Sequence, residues 1–363
     1  MKFLIFATCL LFSVARAGDP TLADLSPTVD HMVEAVLSSD PAGYLSYVAP
    51  DDPMFFQEQK NWARDLEIHC PISFRIDLDG GGFAVQRDGS ITVPMTMTWK
   101  MAENARSRRV SYPARFVERD GRWLYAGEQW VRVKAPGVEV LVEPEDKSVG
   151  IQIASVLPGV RERLDELSGI TTERVQQVKV YGSMKHLQQS IYLSYTDPLG
   201  GWNEPGESIK LVRQGIRSGQ QMRSLLAHEY GHVITFALGS DATHMPWWVL
   251  EGFAEYCSAV LAGSPHRFPP IVSRWAERGN LRTWDQLSDF RGEAMNHQGH
   301  VYAQGHHMIV FLVEQFGLEK LIEWLRAQAQ GDALDDASRA VFGMSWADID
   351  QAWQKSLGVS KAP

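Results

Sequence analysis

Leu225-Leu226-Ala227-His228-Glu229-Tyr230-Gly231-His232-Val233-Ile234 sets two histidines four apart, with a glutamate directly after the first. The surrounding apolar residues follow a helical period rather than an alternating one. On a helix, positions four apart lie one above the other, so the imidazoles of His228 and His232 can close on one metal ion. The carboxylate of Glu229 then faces a metal-held water. The plainer reading is an amphipathic helix with two satisfied histidines.

A catalytic zinc takes three protein ligands and keeps one position for water. Eighteen residues lie between His232 and Glu251, in Pro246-Trp247-Trp248-Val249-Leu250-Glu251-Gly252-Phe253-Ala254-Glu255-Tyr256. This stretch also reads as a helix, and a short connection makes it antiparallel to the first. Glu251 can then stand opposite the histidine pair. Glu255 is one turn further along the same face. It is placed either to accept a hydrogen bond from the free ring nitrogen of a ligand histidine or to act as a surface salt-bridge partner. Trp247 and Trp248 read as helix-packing bulk, with lining of a cleft as the second reading.

With these residues in place, the segment resembles the gluzincin metallopeptidases, in particular their aminopeptidase N branch. The matching pattern is H-E-x-x-H, eighteen residues, then E-G-x-A, and it covers roughly residues 220 to 320. The resemblance implies that His228, His232 and Glu251 are zinc ligands and that Glu229 is the general base. The family often opens a later helix with Tyr-x-x-Gly, matched by Tyr302 and Gly305 in Gly299-His300-Val301-Tyr302-Ala303-Gln304-Gly305. By that likeness the phenol of Tyr302 donates to the oxyanion of a tetrahedral intermediate, His300 being a weaker candidate. His306 and His307 read as structural. The family's G-A-M-E-N motif has no counterpart: Met101-Ala102-Glu103-Asn104 is scrambled in order and lies far upstream. An amine-binding site is not evident, and exopeptidase activity does not follow.

Further out, the fold class reads as α+β. Residues 26 to 66 are helical, with breaks at Asp40-Pro41 and Pro50 to Pro53. Strands are expected at Ile72 to Leu78, Ile91 to Met101, Arg108 to Val117 and Trp123 to Val133, with turns at Asp79 to Gly82, Asp88-Gly89 and Arg119 to Gly121. Element order and the last strand pair resemble the cone-shaped nuclear-transport-factor-like fold. Ala135-Pro136-Gly137 reads as a linker, giving an accessory domain over 18–134 and a metallopeptidase domain over 138–363. The second begins with a small sheet: strands at Val138 to Val142, Val178 to Tyr181 and Ile191 to Tyr195, and an edge strand at Glu207 to Val212. It has a helix at Ser148 to Ser168 and is mostly helical from Gln220, ending in helices at Gly299 to Phe316, Leu318 to Gln328 and Trp346 to Leu357.

Residues 1–17 read as a secretory signal peptide: Lys2, a short apolar run from Phe3 to Val14, and Ala15-Arg16-Ala17 before the cut. The run is too short to span a bilayer, and the expectation is a periplasmic or extracellular protein. Export permits a disulfide between Cys70 and Cys257, but two buried free thiols fit at least as well. The 363 residues carry 35 basic and 44 acidic side chains, a net charge of −9. A nucleic-acid binder would show a basic footprint instead. There is no EF-hand spacing, phosphate-binding Gly-rich loop or Gly-x-Ser-x-Gly elbow.

The leading reading is therefore an exported zinc peptidase acting on a peptide or protein. A catalytically silent metal-binding scaffold and a metal hydrolase of a non-peptide bond stay open beside it, because the same ligand set serves all three.

Overall fold

The structure, a computed structural model, describes residues 19–358 except 173, 217–218, 264–267 and 291. Residues 1–17, expected to be a signal peptide, lie outside these residues. The chain starts with α1 (Ser26–Leu37), α2 (Pro41–Leu45) and α3 (Pro53–Asp65). Asp40 and Asp52 cap the second and third by accepting from backbone amides of their first turns, and a proline follows each. This is why the Pro/Asp breaks divide the helical stretch.

Five strands follow: β1 (Ser73–Leu78), β2 (Ala84–Val85), β3 (Ile91–Lys100), β4 (Arg108–Arg119) and β5 (Arg122–Glu128). They form an antiparallel sheet in the order β1-β3-β4-β5, with β2 also on β3. β3 alternates buried and half-buried residues along its whole length. Its buried face, with Val93, Met95, Met97 and Trp99, packs on Leu25, Met32, Val36 and Trp62 from the helices. Asp120 and Gly121, both at positive φ, make the two-residue turn between β4 and β5. That is the backbone the hairpin's twist demands.

A second sheet begins with β6 (Val131–Ala135) and β7 (Val138–Val142). Two sequence expectations need correction here. Trp123 to Val133 is not one strand: it divides between the two sheets, after Gly127 at positive φ. Ala135-Pro136-Gly137 is not a linker but the turn of the β6–β7 hairpin, with Ala135 paired to Val138. Proline followed by glycine at positive φ is the pattern of a tight turn, which composition alone does not separate from a hinge. The second sheet thus starts at Val131.

Next come α4 (Lys147–Ser168), β8 (Gln176–Tyr181), α5 (Met184–Ile191), β9 (Gly201–Trp202) and β10 (Ile209–Val212). The sheet order is β6-β7-β8-β10-β9, with β8 parallel to both β7 and β10. The strand expected at Ile191 to Tyr195 is absent, since Ile191 ends α5 under a serine N-cap at Ser183. The strand at the end of the Glu207 to Val212 stretch is internal, and β9 is the edge.

The rest is helical: α6 (Gln220–Ala237), α7 (Trp247–Leu261), α8 (Pro269–Glu277), α9 (Gln298–Phe316), α10 (Leu318–Ala329), α11 (Leu334–Phe342) and α12 (Trp346–Ser356). Under α7 lies a tryptophan cluster. Trp248 contacts Trp284 at 4.3 Å and Trp346 at 5.3 Å between ring centres, and Trp284 contacts Trp353 at 5.1 Å. Rings this large, buried together, are a rigid floor for the helix that carries Glu251.

The two units share a buried polar seam. Glu58 of α3 pairs with Lys179 of β8 and accepts from Ser208, while Lys210 pairs with Glu207 at 2.9 Å. Asn61 donates to Glu207 at 2.7 Å, and the indoles of Trp62 and Trp99 donate to the carbonyls of Gln189 and Leu193. Cys70 is exposed, Cys257 is buried, and both are free thiols.

Candidate active site and metal centre

Three helices meet where their backbones can touch. A side chain on Gly231 of α6 would stand 3.0 Å from the Cα of Ala254 on α7. One on Gly252 would stand 2.7 Å from the carbonyl carbon of Gly305 on α9, and one on Gly305 would stand 2.5 Å from the carbonyl oxygen of Trp248. The glycines after Glu251 and after Tyr302 are thus one crossing point of α7 and α9. That contact brings the Glu251, His228 and Tyr302 side chains into one place.

On α6, the ring centres of His228 and His232 are 5.0 Å apart. Nε2 of His228 lies 3.2 Å and Nε2 of His232 lies 3.6 Å from the same oxygen, Oε2 of Glu251. One ligand atom from each of the three lies within 4.8 Å of the others. His228 also faces Glu255, its Nδ1 3.3 Å from Oε1. The pairings of His228 with Glu255 and of His232 with Glu251 make α6 and α7 antiparallel, as expected. Glu255 therefore holds the far nitrogen of His228 and leaves Nε2 toward Glu251.

Trp247 adds a restraint that the sequence reading had not singled out. Its indole N–H donates to Oε1 of Glu251 at 2.9 Å. Oε2, buried and without a hydrogen-bond partner, is left pointing at the two imidazoles. Two imidazole nitrogens and an orphaned carboxylate oxygen converging on one point are a donor set that fits zinc. Burial alone would raise the Glu251 carboxyl, but His232 and His228 outweigh it and hold the group well below the usual range. Burial likewise disfavours a charged His228, and Glu251 and Glu255 outweigh it in the other direction.

Glu229 is buried, and burial raises its carboxyl against the pull of His228 and His232. It lies against the edge strand: a Cβ on Gly201 would fall 2.2 Å from Oε1 of Glu229. Only glycine leaves that space. Asn203, just beyond β9, reaches the Glu229 carbonyl at 3.5 Å with its amide nitrogen, while its own amide oxygen is buried without a partner. Gly201 and Asn203 were not flagged from the sequence; no local pattern marks a loop residue that touches a helix 26 residues on.

Tyr302 opens α9 with its ring 6.1 Å from that of His228. Burial, reinforced by Glu251, Glu229 and Glu255, holds its pKa well above the ordinary phenol value. The proton is therefore available for donation at neutral pH. His300 is engaged elsewhere, stacked on Trp275 at 3.9 Å with Nε2 3.1 Å from the Asn280 carbonyl. His307 accepts from the Trp353 indole at 2.9 Å, a structural role. Tyr230, inside the motif, donates to Asp165 at 2.7 Å and contacts Thr172 at 2.9 Å, which anchors α6 on α4.

The model of the Peptidase MA superfamily matches residues 160–359, more than half of the chain. The chain belongs to the peptidase MA superfamily. Membership supports a zinc peptidase-like function, and the matched span contains all six residues above: His228, Glu229, His232, Glu251, Glu255 and Tyr302. No curated protein matches the chain. Among solved structures it is similar to native yeast LTA4 hydrolase, at 10% identity and a TM-score of 0.42, over 79% of this chain and 70% of that one. It is similar to a mutant two-domain M1 zinc metallopeptidase bound to L-arginine, at 14% identity and 0.37, over 81% and 63%. An M1 zinc metallopeptidase from Deinococcus radiodurans gives 15% and 0.38, over the same 81% and 63%. The chain thus spans less than two thirds of the last two proteins. Membership in the superfamily rests on the sequence match and not on these likenesses.

Proposed function

We propose that the protein is an exported zinc metallopeptidase that hydrolyses peptide bonds by attack of an activated water. The observation that carries the reading is the convergence of His228 Nε2, His232 Nε2 and Glu251 Oε2 on one point, with Glu229 beside it. His228, His232 and Glu251 would hold the zinc. When bound, zinc supplies a Lewis acid that polarises the scissile carbonyl and makes water more acidic. Glu229 takes a proton from the attacking water on its carboxylate and passes it to the leaving nitrogen. Tyr302 donates its phenol hydrogen bond to the oxyanion that develops on the carbonyl. Glu255 keeps His228 in the tautomer whose Nε2 lone pair is free.

Export rests on the charge, apolar run and cleavage pattern of residues 1–17. No helix among the described residues is long and apolar enough to cross a membrane.

The test is a digest of a diverse peptide mixture read by mass spectrometry, with zinc-loaded wild type beside Glu229→Gln. Cleavage by wild type alone is the expected result. No cleavage by either protein with zinc bound would favour a metal-binding scaffold or a non-peptide substrate.

A further inference from the structure

Five aromatic side chains run in an unbroken line from the metal cluster to the edge of the second sheet. Tyr302, beside His228, meets Trp247 at 6.2 Å between ring centres. Trp247 meets Phe290 at 4.9 Å, Phe290 meets Trp202 at 6.0 Å, and Trp202 meets Tyr195 at 5.3 Å. These rings come from separate parts of the chain: the segment after α5, β9, the segment before α9, and the first turns of α7 and α9.

Exposure separates this line from the core. Trp248, Trp324 and Trp353 are 0–1% exposed and belong to the core. Tyr195, Trp202, Phe290 and Tyr302 are each only half-buried, and Trp247 anchors them from below. The line is also tied to the chemistry through two of its members. Tyr302 stacks beside His228, and Trp202 directly follows Gly201, whose backbone lies against the Glu229 carboxylate. Half-buried apolar rings so close to the catalytic groups present a surface that gains from being covered when a chain is bound across the site.

We infer that Trp202, Phe290 and Tyr195 form the subsite for a side chain next to the scissile bond, and that the substrates are peptides with an aromatic or long apolar residue there. This rests on the peptidase reading for its substrate class, but its test does not need turnover. Rings of this kind favour a flat or extended apolar side chain over a methyl by burying more of it.

The experiment uses the zinc-loaded Glu229→Gln protein, so that peptide is not consumed. Calorimetry would compare a blocked penta-alanine peptide with the same peptide carrying phenylalanine at its centre. The phenylalanine peptide should bind at least about tenfold more tightly. Adding Trp202→Ala or Phe290→Ala to the same background should shrink that ratio to about twofold or less, with zinc content and circular dichroism unchanged. Equal binding of the two peptides, no binding of either, or a ratio that survives both variants would overturn the subsite. Failure of the wild type to cleave any peptide would strike the peptidase reading instead and leave the binding ratio intact.

Discussion

The indole of Trp247 and the carboxylate of Glu251, one helical turn apart, are joined by a 2.9 Å hydrogen bond that assigns the two carboxylate oxygens to different tasks. Oε1 is held by the indole, and Oε2 is left to the histidines. Trp247→Phe keeps the ring's contacts with Phe290 and Tyr302 but deletes the donor. Zinc affinity should fall by about 10- to 100-fold, the range seen when a ligand's outer partner is lost. Competition with a chromogenic chelator measures it; an unchanged affinity would mean that the bond does not orient the ligand.

The contact between Gly201 and Glu229 makes a separate prediction. In Gly201→Ala the new methyl would sit 2.2 Å from Oε1 and 2.5 Å from Cδ of Glu229, and 3.0 Å from Leu211. The carboxylate has to move while the three ligand side chains do not. Turnover should drop by about 100-fold, the scale of a misplaced catalytic group, with zinc content and melting temperature little changed. Parallel kinetics and metal analysis would decide it, and full activity would show that the base tolerates displacement.

Tyr302→Phe isolates one hydroxyl. The ring's packing on His228 and Trp247 survives, but the oxyanion loses a donor. The expected effect is on kcat, by about 10²- to 10³-fold, with KM nearly unaltered. A rise in KM at constant kcat would instead place Tyr302 in substrate binding.

Far from the metal cluster, His186 on α5 lies between Glu128 of the first sheet, at 3.2 Å, and Glu143, at 3.5 Å. Burial pushes its pKa down, but the two carboxylates outweigh burial and raise it from 6.5 to about 9. A group whose folded pKa is raised stabilises the fold fully below its unfolded pKa and loses that contribution as pH rises through the folded value. The stability advantage of wild type over His186→Gln should therefore be largest below pH 6.5 and shrink by about 3 kcal/mol as pH passes 9. Urea titrations of both proteins at several pH values check this; a gap that widens with pH would refute it.

What could be read in advance follows from how local each signal is. His228, Glu229 and His232 lie within two turns of one helix, so their geometry is nearly determined by spacing. Glu251 and Glu255 needed only the further step that a short connection returns an antiparallel helix. Gly201 and Asn203 were not legible as site residues, and Trp247 was legible as packing bulk or cleft lining but not as the partner of Glu251. Gly201 matters through a contact across the fold, and the role of Trp247 depends on a rotamer. Errors in the fold have the same origin. Pro136-Gly137 serves a hairpin as readily as a linker, and whether Ile191 ends a helix or starts a strand is decided by the Ser183 cap and by packing. The internal place of Ile209 to Val212 depends on β9, two residues long and too short to announce itself.

The most direct measurement is a zinc titration of metal-stripped protein, following cleavage of a peptide that the wild type cuts. Activity should rise linearly and level off at one equivalent of zinc. Glu229→Gln should bind the same single equivalent and stay inactive, and His232→Ala should fail to retain the metal. Cleavage that ignores added zinc, or that persists in Glu229→Gln, would contradict a metallopeptidase built on these residues.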